Sequence, residues 1–243
     1  MSAPAEKVAL VTGAGQRVGQ AIALALGAEG YRVAVHYHAS AGGARKTSAA
    51  LRGLGVESET FGADLARPDA AVALVHEVVA RFGGVDLLVN SAALMRRLAL
   101  DTVTPADWDE TFSVNARAPF FLSLAAARAM GERGGAIVSI ADHLAHESWP
   151  LLVPHGIAKA AVEAMTRQLA VQLAPAVRVN AVVPGAVLAP NGWPEADRQK
   201  FAAATPLQRL GTPDDVAQAV VYLASAPYVT GVVLFVDGGR HLR

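Results

Sequence analysis

Short runs of apolar, β-branched residues alternate along this chain with longer alanine-rich stretches. The runs KVALVT (7–12), YRVAVHYH (31–38), VESETF (56–61), VDLLVN (85–90), GAIVSIA (135–141), VRVNAVV (177–183) and VVLFVD (232–237) predict strands. Between them, stretches such as VGQAIALALGAEG, AVALVHEVVARFG and PDDVAQAVVYLAS predict helices, with Pro, Gly and Asp at their boundaries. Strand–helix alternation of this kind implies an α/β fold: a doubly wound, mostly parallel sheet of about seven strands flanked by helices on both faces. No repeat, low-complexity tract or linker interrupts the pattern, so residues 1–243 are expected to form a single domain. Residues 186–212 lack strand character and carry three prolines. They read as a lid over a site or as a plain surface connection.

Composition narrows the function. Lys plus Arg equals Asp plus Glu, so the chain lacks the basic footprint of a nucleic-acid binder. Cysteine is absent, which removes disulfides, thiolate metal sites and cysteine nucleophiles together. The N-terminal apolar run is too short for a signal-peptide core, and no uninterrupted apolar segment reaches membrane-spanning length. A cytoplasmic protein acting on a small molecule, without nucleic-acid or membrane partners, is the expectation.

Candidate chemistry begins at ALVTGAGQRVGQAIA (9–23), a strand entering a glycine-rich turn and then a helix. Gly13, Gly15 and Gly19 allow close backbone approach, and with Gln16, Arg17 and Val18 they open a helix whose free N–H groups suit a pyrophosphate. The spacing is G-x-G-x-x-x-G rather than the common G-x-G-x-x-G. An acid about 20 residues further on would bind the ribose hydroxyls of NAD, yet no Asp or Glu lies between Glu29 and Glu57. The second strand ends instead in His36, Tyr37, His38, Ala39 and Ser40, with Arg17, Arg45 and Lys46 as nearby cations. Cations and hydroxyls suit a 2′-phosphate, which favours NADP(H) over NAD.

A second candidate lies in VPHGIAKAAVEAM (153–165), where His155 and Lys159 stand four apart and share one helical face. A third is DHLAHESWP (142–150), whose His143 and His146 have a chelating H-x-x-H spacing near Asp142, Glu147 and His155. The segment reads as a loop, and extra loop histidines are usually solvated, so no metal is expected.

Taken in order, these motifs resemble the short-chain dehydrogenase/reductase family over essentially the whole length. TGAGQRVG matches its glycine turn, GADL (62–65) its adenine-contacting Asp64 followed by Leu65, and VNSAA (89–93) its motif of Asn90, Ser91 and Ala92. VNARAPFF (114–121) supplies Asn115 of its catalytic tetrad, and VVPGAV (182–187) the nicotinamide-side segment with Pro184, Gly185 and Val187. TPDDVAQAVVYLAS and YVTGVVLFVDGG match its C-terminal end. The resemblance implies a Rossmann-like domain and NADP(H)-dependent oxidoreduction. Within the family the chain is most similar to pteridine reductases and dihydromonapterin reductases, through Arg17 in the turn, HYHAS at the strand end, Asp142 in place of the usual serine, and the terminal DGGRHLR. That similarity implies a dihydropterin substrate. A general carbonyl or quinone reductase, or a non-catalytic NADP-binding protein, are the alternatives.

Two positions depart from the pattern. The aromatic that stacks on the pterin falls at Met95, and the catalytic tyrosine falls at His155. The family's tyrosine donates a proton, while its lysine lowers that tyrosine's pKa and grips the nicotinamide ribose. A neutral histidine cannot replace it by giving up its only N–H, so His155 must act as imidazolium. Lys159 opposes that charge and Asp142 supports it, which implies that Asp142 and His155 titrate as a pair. Imidazole also reaches about 2 Å less far than phenol, so proton delivery runs through a bridging water or through Asp142 itself. Met95, Trp149 and Trp193 are expected to line the substrate pocket beside Asp142 and His155. The resemblance further implies a homotetramer built on the helices within 105–130 and 154–174, with a C-terminal tail, Arg240 to Arg243, that reaches a neighbouring subunit's site.

Overall fold

The structure is a computed structural model that describes residues 7–187 and 194–243. Seven strands, β1 (Val8–Val11), β2 (Arg32–Tyr37), β3 (Ser58–Gly62), β4 (Leu87–Asn90), β5 (Gly135–Ile140), β6 (Val177–Pro184) and β7 (Val233–Val236), form one sheet. The order is β3-β2-β1-β4-β5-β6-β7, and every neighbouring pair is parallel. Each strand lies within about two residues of the run that predicts it.

Both faces of the sheet are buried, as a parallel sheet requires. Along β1, Leu10 points to one side and Ala9 and Val11 to the other, all fully buried. Helices α1 (Arg17–Ala28), α2 (Ala41–Gly53) and α8 (Pro213–Ser225) cover the second side through Ile22, Leu26, Leu51, Val216, Val220 and Leu223. Helices α3 (Ala70–Phe82), α5 (Ala118–Met130) and α6 (Val153–Gln172) cover the first through Leu74, Val78, Leu122, Met130 and Leu169. Local signals set the helix ends. Thr104/Asp107 before α4 (Pro105–Phe112) and Thr212/Asp215 before α8 form reciprocal capping boxes, each with proline in the first turn. Gly83 closes α3 in the left-handed conformation.

Chain order reverses between β1 and β4, and there the carboxyl ends of the strands open a crevice. The glycine turn, the end of β2 and the segment after β5 all lie at that end. Residues 186–212, expected without strand structure, contain the short helix α7 (Glu195–Ala203). Trp193 lies outside the described residues. On the outer side of α4–α6, Trp108, Phe120, Phe121 and Ile157 remain exposed. Among the described residues no helix is long and apolar enough to cross a membrane.

Candidate active site

The nucleotide end of the crevice is built from backbone. The glycine turn ends at Gln16, which caps α1 without a side-chain hydrogen bond, and no acid occupies the first helical turn. The helix therefore presents open amides to an anion. The turn is close-packed: a Cβ at Gly13 would sit 2.9 Å from Ala92 Cα, one at Gly15 3.0 Å from the Ser40 carbonyl, and one at Gly19 2.4 Å from the Gly13 carbonyl. Arg17 takes φ +55°, a left-handed conformation that favours glycine, and its side chain stands exposed. Thr12 Oγ1 accepts the N–H groups of Ser91 and Ala92, which ties the turn to the end of β4.

Several expected cofactor residues do not face the crevice with their side chains. His36 is 1% exposed; its Nδ1 accepts Gly13 N–H at 3.1 Å and its Nε2 lies 3.1 Å from the Ala63 carbonyl. Burial holds it neutral, with its pKa lowered to about 4. As a strand residue it points inward and braces the turn, so its side chain does not face the crevice as a cofactor-binding residue was expected to. The next residues along the strand, half-buried Tyr37, exposed His38 and Ala39, and half-buried Ser40 at the start of α2, remain at the surface. Asn90 is likewise buried, donating to Ser123 and Ser139 Oγ across β4, α5 and β5, and Leu65 packs in the core. Asp64 accepts the Ala66 N–H at 3.0 Å in the turn after β3. Pro184 ends β6 and Gly185 follows it, both buried, and half-buried Val18 and Val187 pack against the core.

The other end is built from side chains. α6 sets His155 and Lys159 on one face, as their spacing requires, and both are buried. Lys159 Nζ donates to the Ile140 carbonyl at 2.6 Å, and burial lowers its pKa to about 8, against the opposing pull of Asp142. A five-residue π-helical turn, Ser113–Arg117, joins α4 to α5 and holds Asn115 fully buried. The Asn115 amide brackets Leu94, accepting its N–H at 2.7 Å and donating to its carbonyl at 2.8 Å.

His155 lies between these groups. Its Nε2 is 3.2 Å from Asp142 Oδ2; its Nδ1 is 3.1 Å from the Leu94 carbonyl and 3.3 Å from Asn115 Nδ2. Nε2 must donate to the carboxylate. Nδ1 meets one acceptor and one donor, so the ring finds a partner whether it is charged or neutral. The ring, expected to line the substrate pocket, is 1% exposed and lies beneath the surface. Asp142, with 18% of its side chain exposed, stands over it. Burial alone would raise the Asp142 pKa, but the imidazoles of His143 and His155 on its two oxygens, with the Leu144 N–H, hold it well below the usual carboxylate range.

Around this centre, Met95 is exposed, and half-buried Trp149 meets the ring of Phe201 in α7 edge-on at 5.3 Å. Sequence reasoning took the loop histidines as solvated. His146 is indeed exposed, though it pairs with buried Glu163 at 2.7 Å, whereas the His143 side chain is only 15% exposed beside Asp142. The direct neighbourhood of His143 to Asp142 was the available signal. Among the described residues no three metal-ligating side chains converge. Arg240 in the C-terminal tail folds onto Glu147 of its own chain, with Nε and Nη2 at 2.9 and 2.8 Å from the carboxylate oxygens.

Comparison with known proteins decides the family. A family model described as enoyl-(acyl carrier protein) reductase matches residues 13–241. The chain belongs to the short-chain dehydrogenase/reductase family. A granaticin polyketide synthase putative ketoacyl reductase from Streptomyces violaceoruber is 36% identical over 250 residues, covering 99% of this chain and 98% of that protein. Among solved structures, the FolM alternative dihydrofolate reductase 1 from Brucella canis, complexed with NADP, is 30% identical with a TM-score of 0.91, covering 98% of this chain and 95% of that one. The angucycline C-6 ketoreductase LanV with bound NADP is 32% identical with a TM-score of 0.88, covering 98% and 96%.

Proposed function

We propose that the protein is an NADPH-dependent reductase of a small planar substrate bearing a C=N or C=O bond, foremost a dihydropterin, with Asp142 and His155 as its proton source. Open amides at the start of α1, cationic Arg17, Ser40 and the absence of any acid at the end of β2 fit NADP(H). Lys159 and the backbone of Ser91, Ala92 and Pro184 to Val187 would hold its nicotinamide half. When bound, the cofactor supplies a hydride.

The observation that carries the proton assignment is the imidazole enclosed between the Asp142 carboxylate and the Leu94 carbonyl. In its charged form His155 donates at both nitrogens; in its neutral form it keeps a partner at each. Passing the Nε2 proton to Asp142 leaves Nδ1–H donating to the Leu94 carbonyl, and Nε2 regains a proton when the partly exposed Asp142 carboxylate is reprotonated from water. The proton passes through Asp142, the member of the pair that reaches the crevice. Imine nitrogens are far stronger bases than carbonyl oxygens, so loss of the phenol costs less for a C=N substrate. The similarity to a dihydrofolate reductase of the same fold supports this choice. The ketoreductase relatives support the second reading, a ketone or quinone substrate. The exposed aromatic face on α4–α6 suits assembly into a tetramer.

The test is NADPH oxidation with dihydromonapterin, dihydrobiopterin and a set of ketones and quinones, repeated with NADH. Turnover of a pterin with preference for NADPH is the expected result. Turnover of ketones alone replaces the substrate, and tight NADPH binding without turnover of anything overturns the enzyme assignment.

A further inference from the structure

His155 accounts for only one oxygen of Asp142. The other, Oδ1, accepts the Leu144 N–H and faces a second imidazole, with His143 Nδ1 at 3.1 Å. That contact is at ion-pair distance but off the hydrogen-bonding line. Both ring nitrogens of His143 are buried without a hydrogen-bond partner among the described residues. A buried imidazole in that state needs packing to hold it. Trp149 provides this, meeting the His143 ring edge-on at 5.8 Å. The indole is itself anchored, donating from Nε1 to Glu147 at 3.0 Å, and Glu147 is clamped by Arg240, whose guanidinium lies 4.4 Å from the Phe201 ring centre.

We propose that His143 is a positioning residue for the reduction: with His155 it flanks Asp142 at both carboxylate oxygens and fixes the orientation and charge of the group that faces the crevice. This rests on the reading of Asp142–His155 as the proton source. His143 gives no proton to the substrate; it sets how readily Asp142 takes one up. The titratable and charged groups facing this carboxylate are His143 from the turn after β5 and His155 and Lys159 from α6. Glu147, paired with Arg240, lies beyond His143.

The experiment compares His143→Phe and His143→Asn with the unaltered protein by two readouts. One is kcat/KM against pH; the other is the ¹³C titration of the Asp142 carboxyl in aspartate-labelled protein with NADPH. His143→Phe is expected to move both the acid limb and the carboxyl titration upward by about one pH unit. His143→Asn, which keeps an N–H near Oδ1, restores most of the shift. A superimposable profile and titration in His143→Phe overturn the proposal. If no substrate turns over but the carboxyl titration still moves, the proton-source reading fails and the role in reduction falls with it, leaving only the control of the Asp142 charge by His143.

Discussion

The two ends of the crevice are made of different material. At the glycine turn the contacts offered are backbone amides, and the turn carries a side chain as large as Arg17 at φ +55° with the helix start still open. Beyond β5 the contacts are side chains: a buried imidazole at 155, a carboxylate at 142 against it and a second imidazole at 143 on the other carboxylate oxygen. A site built from backbone absorbs a substitution where it stands. A site built from side chains has to be recomposed around one.

That contrast can be broken by mutation. The largest effect is expected at the side-chain end: His155→Phe lowers kcat/KM by roughly a thousandfold, the scale of a lost general acid. His155→Tyr retains turnover with a different pH–rate profile. Equal rates in His155→Phe and the unaltered protein, measured by NADPH oxidation, end the role assigned to His155.

Next comes the brace beneath the backbone end. His36 is neutral when folded, with a pKa near 4 against 6.5 for the free side chain. Unfolding therefore takes up a proton below about pH 6.5. The contribution of His36 is complete above that pH and is lost as pH falls toward 4, by up to about 3 kcal/mol. Urea unfolding at pH 7 and 4.5 should show a smaller difference in His36→Asn than in the unaltered protein. The smallest effect is expected at the one side chain the backbone end adds. Arg17→Ala should weaken NADPH binding about tenfold, as for one charge-assisted contact, and leave NADH binding nearly unchanged. Equal weakening of both cofactors in a fluorescence titration would show that Arg17 shapes the turn instead of reading the phosphate.

The fold was legible because burial on both sheet faces forces apolar runs in the inner strands, while the edge strand β3 shows only the alternation of VESETF. The Asp142–His155–Lys159 arrangement was legible because i, i+4 spacing on a helix fixes a shared face, and the family pattern placed Asp142. Inward and outward positions at strand ends were not. HYHAS lists two histidines whose fates depend on the pleat: His36 turns into the sheet and His38 to solvent. The loop after β5 gave no period to read, so the burial of His143 and the pairing of His146 with Glu163 emerge only in three dimensions.

The enclosure of the His155 ring has a practical side. Acylating reagents, oxidants and stray transition-metal ions attack imidazoles at the surface, such as that of His38, well before one with 1% of its area open to water. The His155 imidazole is thus guarded from the solution, and the partly exposed Asp142 carboxylate is the side chain that stands between them.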